Sequence, residues 1–520
     1  MLFLIWVTQL FLAGMFVRKK KNKSGVVSIQ VIEKRKGVCV LVKTIGSSDD
    51  EQTINKLVEQ GKQYILHYGG QRVFEFEDDQ QVFDAHFKAL RSFRLVGPEL
   101  LLGRIFNEIG FNLIEDEMFR DLVITRLIYP VSKLKTTDYL YKYKNERVDV
   151  ERIYRYLDKL YNKQKGKIED ISYTHTLQVL GGKISMMFYD VTTLYFETDQ
   201  EDALRKTGFS KEGRHQNPQI VLGLLVSKGG YPLAYEIFDG KQYEGHTLLP
   251  VIEGFKQRYK LDDLIVIADA GLLSKENIAQ LQSRNYQYII AARIKNESYQ
   301  LQKKILVHKP KNGASIAFQR DEHTRLVISY SEARARKDAA NRKRGLDKLE
   351  KQVTSGKLTK ANLNNRGYNK YLKLEGDIKI TINKEKYDQD AQWDGLKGYI
   401  TNTPFSNEEV IENYKELWQI ETAFRISKTD LQIRPVYHRL HRRIEAHICI
   451  AFCAYKVYKE LERQLKIKHA QWSVEKAIDI CKTIYSVNIQ THLSDTIHTR
   501  LYVDKYEQQL LLDMFNIQFG

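Results

Sequence analysis

Ile184-Ser-Met-Met-Phe-Tyr-Asp190-Val-Thr-Thr-Leu-Tyr-Phe196 sets one carboxylate inside an apolar, β-prone run. A carboxylate in a strand interior is costly unless it is paired or bound to a cation. A second run, Leu264-Ile-Val-Ile-Ala-Asp269-Ala-Gly271, ends on another acid. A third acid, Glu421, falls within the helical pattern Tyr414-Lys-Glu-Leu-Trp-Gln-Ile-Glu421-Thr-Ala-Phe-Arg-Ile-Ser-Lys428. Three acids so placed read as a cage for Mg²⁺, a hard ion that prefers carboxylate, phosphate and water oxygens. In phosphodiester cleavage by two ions ~4 Å apart, Asp190 would bridge both, Asp269 would hold one and Glu421 the other.

The surroundings of Asp190 decide the sheet. Strand 183–196 is followed by the apolar runs 219–226 and 231–238, turned at Lys228-Gly-Gly230, which read as a hairpin. Thr247 is expected to cap a helix over 248–259, and Ser274 a second one. Strand 264–268 lies between them, and Tyr286-Gln-Tyr-Ile-Ile-Ala-Ala292 is a further strand. The order β-β-β-α-β-α-β is that of a ribonuclease-H-like mixed sheet, an α/β fold whose strand C-terminal ends collect ligands. One more helix, 407–428, closes it, so the catalytic domain spans 181–295 and 400–435.

The stretch between, 296–399, reads as a large basic insertion before the final catalytic helix. Its strand-like patches are 304–307, 324–330 and 378–382. From Ser331 to Lys370 it carries twelve Lys/Arg against four Asp/Glu. Flanking regions are a small N-terminal α+β part over 15–95, a basic helical part over 96–180 that is a candidate for DNA binding, and a helical C-terminal part over 436–520.

Bulk charge agrees with a nucleic-acid partner. Lys and Arg number 82 against 65 Asp and Glu in 520 residues, a net charge of +17. Such a surplus favours a polyanion such as double-stranded DNA. Four cysteines (Cys39, Cys449, Cys453, Cys481) argue against a disulfide framework and for a reducing compartment. His447, Cys449 and Cys453 share an apolar helix that explains them as core. Met1–Val17 is apolar and its charges follow rather than precede it, unlike a secretory signal. Residues 1–14 therefore read as a non-native leader with Met15 as the first residue. The rival reading is a membrane anchor; the rest of the chain shows no span.

On the expected helix, Tyr414, Glu421 and Lys428 recur every seven residues and share a face, whereas Leu417, Ile420 and Phe424 form an apolar stripe. Arg425 lies one turn beyond Glu421, placed to meet a phosphate. This constellation, with Trp418-Gln-Ile-Glu421-Thr-Ala-Phe-Arg425 inside it, resembles the tyrosine-arginine-glutamate-lysine signature of bacterial insertion-sequence DDE transposases. Phe188-Tyr-Asp190-Val-Thr-Thr193 and Ile267-Ala-Asp269-Ala-Gly-Leu-Leu-Ser274 resemble that family's first and second acid motifs. Gly208-Phe-Ser-Lys, Asn217-Pro-Gln219 and Arg442-Arg-Ile-Glu-Ala-His447 resemble its further motifs.

The resemblance implies that Asp190, Asp269 and Glu421 bind two Mg²⁺ ions, with Mn²⁺ able to substitute. It implies nicking of element ends at terminal inverted repeats, joining of the freed 3′-OH to target DNA, and assembly as a homodimer on paired ends in the cytoplasm, at the nucleoid. Tyr414, Arg425, Lys428, Arg442 and Arg443 are then the expected DNA contacts. One position departs: the signature's arginine would fall at 417, where this chain has Leu417. Two rivals stay open, a nuclease of the same fold without strand transfer and a catalytically inactive DNA-binding regulator of the element.

Overall fold

The computed structural model describes residues 14–68, 84, 87, 89–210, 213–261, 264–272, 274–356, 358, 362–364, 367–375, 379–490 and 496–518. The first thirteen residues, and so nearly all of the expected leader, lie outside the described residues. The chain divides into a unit over residues 1–90 and a unit over 91–520.

In the first unit, β1 (Met15–Lys21), β2 (Val27–Arg35) and β3 (Val38–Ser48) form an antiparallel sheet in that order, followed by α1 (Glu51–Leu66). Asp50 caps α1 by accepting from the Thr53 amide at 2.8 Å. Ile29, Val31 and Ile32 are its buried apolar centre. The basic run Arg18–Lys21 gives no sequence sign of a strand. It becomes one because β2 supplies a ladder, with Arg18 opposite Gln30.

The second unit opens with β4 (Leu90–Leu95) and a helical stretch: α2 (Arg104–Ile109), α3 (Glu117–Ile128), α4 (Lys133–Tyr139), α5 (Val150–Lys159) and α6 (Lys165–Val179). Then come β5 (Met186–Tyr195), β6 (Gln219–Ser227), β7 (Pro232–Asp239), α7 (Leu248–Tyr259), β8 (Ile265–Ala268), α8 (Lys275–Ser283) and β9 (Gln287–Ala292). This is the expected element order. Ser274 caps α8 through the Asn277 amide at 2.9 Å. Thr247 does not cap α7: its hydroxyl donates to the Glu244 carbonyl at 2.7 Å, because a 3₁₀ turn over Glu244–His246 already leads into the helix.

The stretch 296–399 divides. Lys304–Val307, expected to be extended, lies in the helix α9 (Tyr299–Val307), whose cap Ser298 accepts from the Leu301 amide. β10 (Ser315–Gln319) and β11 (Arg325–Tyr330) join the main sheet. The basic helix α10 (Glu332–Thr354), the hairpin β12 (Leu372–Glu375) with β13 (Lys379–Ile382), and α11 (Lys384–Ala391) then precede β14 (Leu396–Thr401). The large sheet runs β10-β11-β14-β9-β8-β5-β6-β7, parallel at β5–β8 and β8–β9 and antiparallel elsewhere. Its centre is the ribonuclease-H-like order anticipated from the sequence, widened at one edge by three strands.

The expected single helix over 407–428 is two. α12 (Asn407–Lys415) and α13 (Trp418–Thr429) are separated at Glu416-Leu417, where the amides of Gln419 and Ile420 bond to carbonyls three residues back. Tyr414 and Glu421 therefore do not share one helix face. After α13 come α14 (His441–Ile467), α15 (Val474–Cys481), β15 (Tyr485–Gln490), β16 (Ile497–Tyr502) and α16 (Tyr506–Met514). The C-terminal part is thus not purely helical: β15 pairs with β16 on one side and, on the other, with β4 from the far end of the unit, a long-range pairing that short polar runs do not announce. Cys449 and Cys453 are buried on α14, as expected of core residues.

Strand alternation sorts the sheet's two faces. Met187, Tyr189 and Val191 of β5 pack with Val266, Ala268 and the buried faces of α7 and α8. Phe188 and Leu194 turn the other way, with Ile267, Ile420 and Phe424. On β6, Gly223 lies opposite Val191, and a Cβ there would come within 2.3 Å of the Tyr189 hydroxyl. Gly223→Ala is therefore expected to destabilise the domain by about 1–3 kcal/mol through overpacking. Urea unfolding measures this; an unchanged midpoint would show that Tyr189 yields freely.

Candidate active site

Parallel register puts Tyr189 of β5 opposite Ala268 of β8. The next residues, Asp190 and Asp269, are then neighbours at about one inter-strand spacing, ~5 Å. By alternation Asp190 falls on the face of Phe188, the face across which α13 packs on β5 and β6. The apolar stripe expected of α13 is present: Leu417, Ile420 and Phe424 are buried against the sheet. This seating leaves Glu421 at the edge of the stripe, exposed.

Burial is where the sequence argument is corrected. Asp190 is half-buried and Asp269 is exposed, because β8 stops at Ala268 and the carboxylate stands beyond the strand end. Asp190 accepts from the Val191 amide at 2.8 Å, and Asp269 from the Ala270 amide at 2.7 Å.

A cavity of ≈ 900 Å³ lies over the ends of β8 and β9; Asp269, Glu421, Tyr414, Lys397, Trp418 and Arg334 are among the residues lining it, and Asp190 is not. The Tyr414 hydroxyl donates to Asp269 at 3.3 Å. Burial, and then the Asp269 charge, push the Tyr414 phenol far up, so it stays a donor. The Lys397 ammonium stands 4.3 Å from the Tyr414 ring centre. Burial and then Arg334 lower its pKa, while Asp269 and Glu421 act the other way. Leu417, at the position of the missing signature arginine, is 5 % exposed and forms part of the wall.

The roof of the cavity comes from the basic stretch. Asp390 of α11 takes Lys295, at 2.7 Å, and the ammonium of Lys370, and it accepts from the Tyr371 hydroxyl at 2.7 Å. Arg342 of α10 pairs with Asp394. Much of the positive charge counted in the sequence is thus spent on internal pairs. Arg293, one residue past β9, and Lys397 and Lys415 line the cavity without a carboxylate partner among the described residues. Arg293 and Lys397 were not expected from the sequence; the position of Arg293 at a strand C-terminal end, like that of Asp269, was the available signal.

The remaining expected contacts lie elsewhere. Arg425 is largely exposed, 3.9 Å from Asp430, and neither it nor Lys428 lines the cavity. Arg442 and Arg443 both pair with Asp158 of α5, at 2.8 and 3.0 Å. Those guanidinium groups tie α14 to α5, a partnership 284 and 285 residues apart that spacing cannot foretell.

Among the described residues, no three His, Cys, Asp or Glu side chains converge tightly enough to hold a metal ion by themselves. Glu421 comes to the cavity from α13, as expected, and Asp269 from the end of β8. In kind, however, the donor set fits a hard divalent cation: all the acids offer oxygen, and the cavity leaves room for water and phosphate oxygens. Among the described residues, no helix is long and apolar enough to cross a membrane.

Residues 181–456, from just before β5 into α14, match the family model described as "Transposase DDE domain". None of the curated proteins matches the chain. Among solved structures, a piggyBac transposase synaptic complex with hairpin DNA is similar at 10 % identity and a TM-score of 0.37, over 75 % of this chain and 79 % of that one. A Mos1 transposase paired-end complex with the left transposon end is similar at 10 % identity and a TM-score of 0.16, over 35 % of this chain and 57 % of that one. Both likenesses are too distant to bear on fold or activity.

Proposed function

The chain belongs to the DDE transposase-domain family, and from that premise we propose that this DNA transposase cuts at the ends of an insertion sequence and joins the freed 3′-OH to target DNA with Mg²⁺ as its cation. Asp190, Asp269 and Glu421 are the residues that would hold the cation. A bound divalent cation supplies charge neutralisation at the scissile phosphate and a more acidic attacking water or hydroxyl.

The observation that carries the reading is the meeting of two elements at one cavity. Asp269 stands beside Asp190 in strand register, and Glu421 lines the same cavity as Asp269. The other roles follow from the chain's own groups. Tyr414 holds the Asp269 carboxylate by its hydroxyl hydrogen bond. Lys397, Lys415 and Arg293 offer cations to the backbone of a DNA strand laid along the cavity. Arg425 and Lys428, exposed or half-buried on α13, would meet DNA outside it. Assembly as a homodimer on paired terminal repeats, at the nucleoid, completes the proposal.

The test is a strand-transfer assay with a duplex carrying the element end, a target plasmid, and Mg²⁺ or Mn²⁺. The expected result is nicked ends followed by covalent donor–target products that depend on the cation. Nicking without joined products would favour the nuclease reading, and neither product would overturn both.

A further inference from the structure

A second cavity, of ≈ 500 Å³, opens between the loop joining α3 to α4, the segment 432–438 and the start of α14. Arg126 and Lys133 line it, each only 5 % exposed. No carboxylate among the described residues lines it. Among the described residues, the Arg126 guanidinium makes one long hydrogen bond, to the Leu431 carbonyl at 3.5 Å, and the Lys133 ammonium makes no hydrogen bond or ion pair. His447 bonds to the Ile433 carbonyl at 3.0 Å through Nε2, while its Nδ1 is buried with no partner. His438 stands against it, with ring centres 5.4 Å apart.

Two buried cations without a counter-ion are costly, and a chain that keeps them has a use for an anion there. A guanidinium, an ammonium and imidazole nitrogens around one space suit the several oxygens of a tetrahedral oxyanion. A transition metal is disfavoured, because the cations would repel it. Burial, with the Arg126 charge beside it, drives the Lys133 ammonium well down. Burial, with Lys133 and Arg126 beside it, takes His438 to about 3. An anion would reverse both effects.

Position narrows the source. Val436 donates its amide to the Tyr195 carbonyl at 3.2 Å and bridges Phe196, so the segment carrying this cavity is anchored at the C-terminal end of β5. Tyr195 lies ~17 Å along that strand from Asp190. Arg214 and Arg434 flank its ring at 4.3 and 5.9 Å. A duplex crossing the acids in the direction of β5 would pass Arg214 and Arg434 and reach this end of the strand after about five base-pair steps of ~3.4 Å.

We propose that the Arg126–Lys133 cavity is a phosphate site that takes one backbone phosphodiester of the bound DNA, outside the reacting step; this rests on the DNA reading above. The full chain and Lys133→Gln would be compared in two measurements. The first is the unfolding temperature in sodium phosphate against chloride of equal ionic strength. Wild type should rise by a few degrees and Lys133→Gln should not. The second is duplex affinity over a salt series by fluorescence anisotropy. Lys133→Gln should bind about tenfold more weakly, with the slope of log K against log salt smaller by about one. Lys133→Arg, which keeps the charge, should retain both responses.

Phosphate stabilisation lost with an unchanged slope would overturn the DNA assignment in favour of free phosphate. No stabilisation and no change of slope would overturn the site altogether. Wild type that binds no duplex yet gains stability in phosphate would sink the DNA reading itself, separately from the anion site.

Discussion

Asp190→Asn is expected to lower cleavage of element-end DNA on the order of 10³-fold while leaving duplex affinity the same or slightly higher. The amide is isosteric and still accepts from the Val191 amide, which the carboxylate meets at 2.8 Å, so β5 should keep its register. On the proposed function, what is lost is one negative oxygen ligand beside Asp269. Withdrawing ~4 kcal/mol of cation binding and transition-state stabilisation gives a loss of that order. Binding should not fall, since removing a negative charge near a polyanion weakens repulsion. Cleavage rates and anisotropy on the same duplex separate the two quantities. A variant that still cuts would remove Asp190 from the chemistry, whereas wild type that binds but never cuts would favour the inactive-regulator reading.

The parts legible beforehand were those fixed by local pattern. The apolar runs around Asp190 and Asp269 are buried on both faces of the sheet, so their composition alone marks them as central strands. The stripe of Leu417, Ile420 and Phe424 likewise announces which side of α13 meets the sheet. Where the reading failed, long-range partners decided. A seven-residue period ran unbroken through Tyr414, Glu421 and Lys428, yet the chain turns at Glu416-Leu417, and Tyr414 reaches Asp269 from α12 instead. The basic runs looked alike in sequence, but Asp158, Asp390 and Asp394 neutralise Arg442, Arg443, Lys295, Lys370 and Arg342 from elsewhere in the fold. Charge counting cannot distinguish those from Lys133, which only the fold leaves buried and unpaired.

Three histidines make the fold acid-sensitive well above the pH at which its depressed carboxylates titrate. His175 is 7 % exposed, and burial, followed by the nearby Lys456 charge, lowers it from 6.5 to about 4. Burial likewise takes His438 to about 3 and holds His447 far below its usual range. In each case the unfolded chain binds the proton more readily, so stability is full above about pH 6.5 and falls as pH drops toward the folded values. At about 1.4 kcal/mol per pH unit, His175 alone accounts for about 3 kcal/mol between pH 6.5 and 4. Asp121, Glu169 and Glu236 act the other way, because burial raises them and the fold gains from their protonation. Asp390, lowered far by Lys295, Lys370 and Tyr371, loses its contribution only below about pH 4. The urea midpoint of the full chain in phosphate-free buffer should therefore fall steeply from pH 6.5 to 4.5. His175→Asn should flatten that slope by up to about one proton's worth. A midpoint that stays level over this window would mean that the histidines are charged in the folded chain, and the unpaired cations around His438 and His447 would then need another explanation.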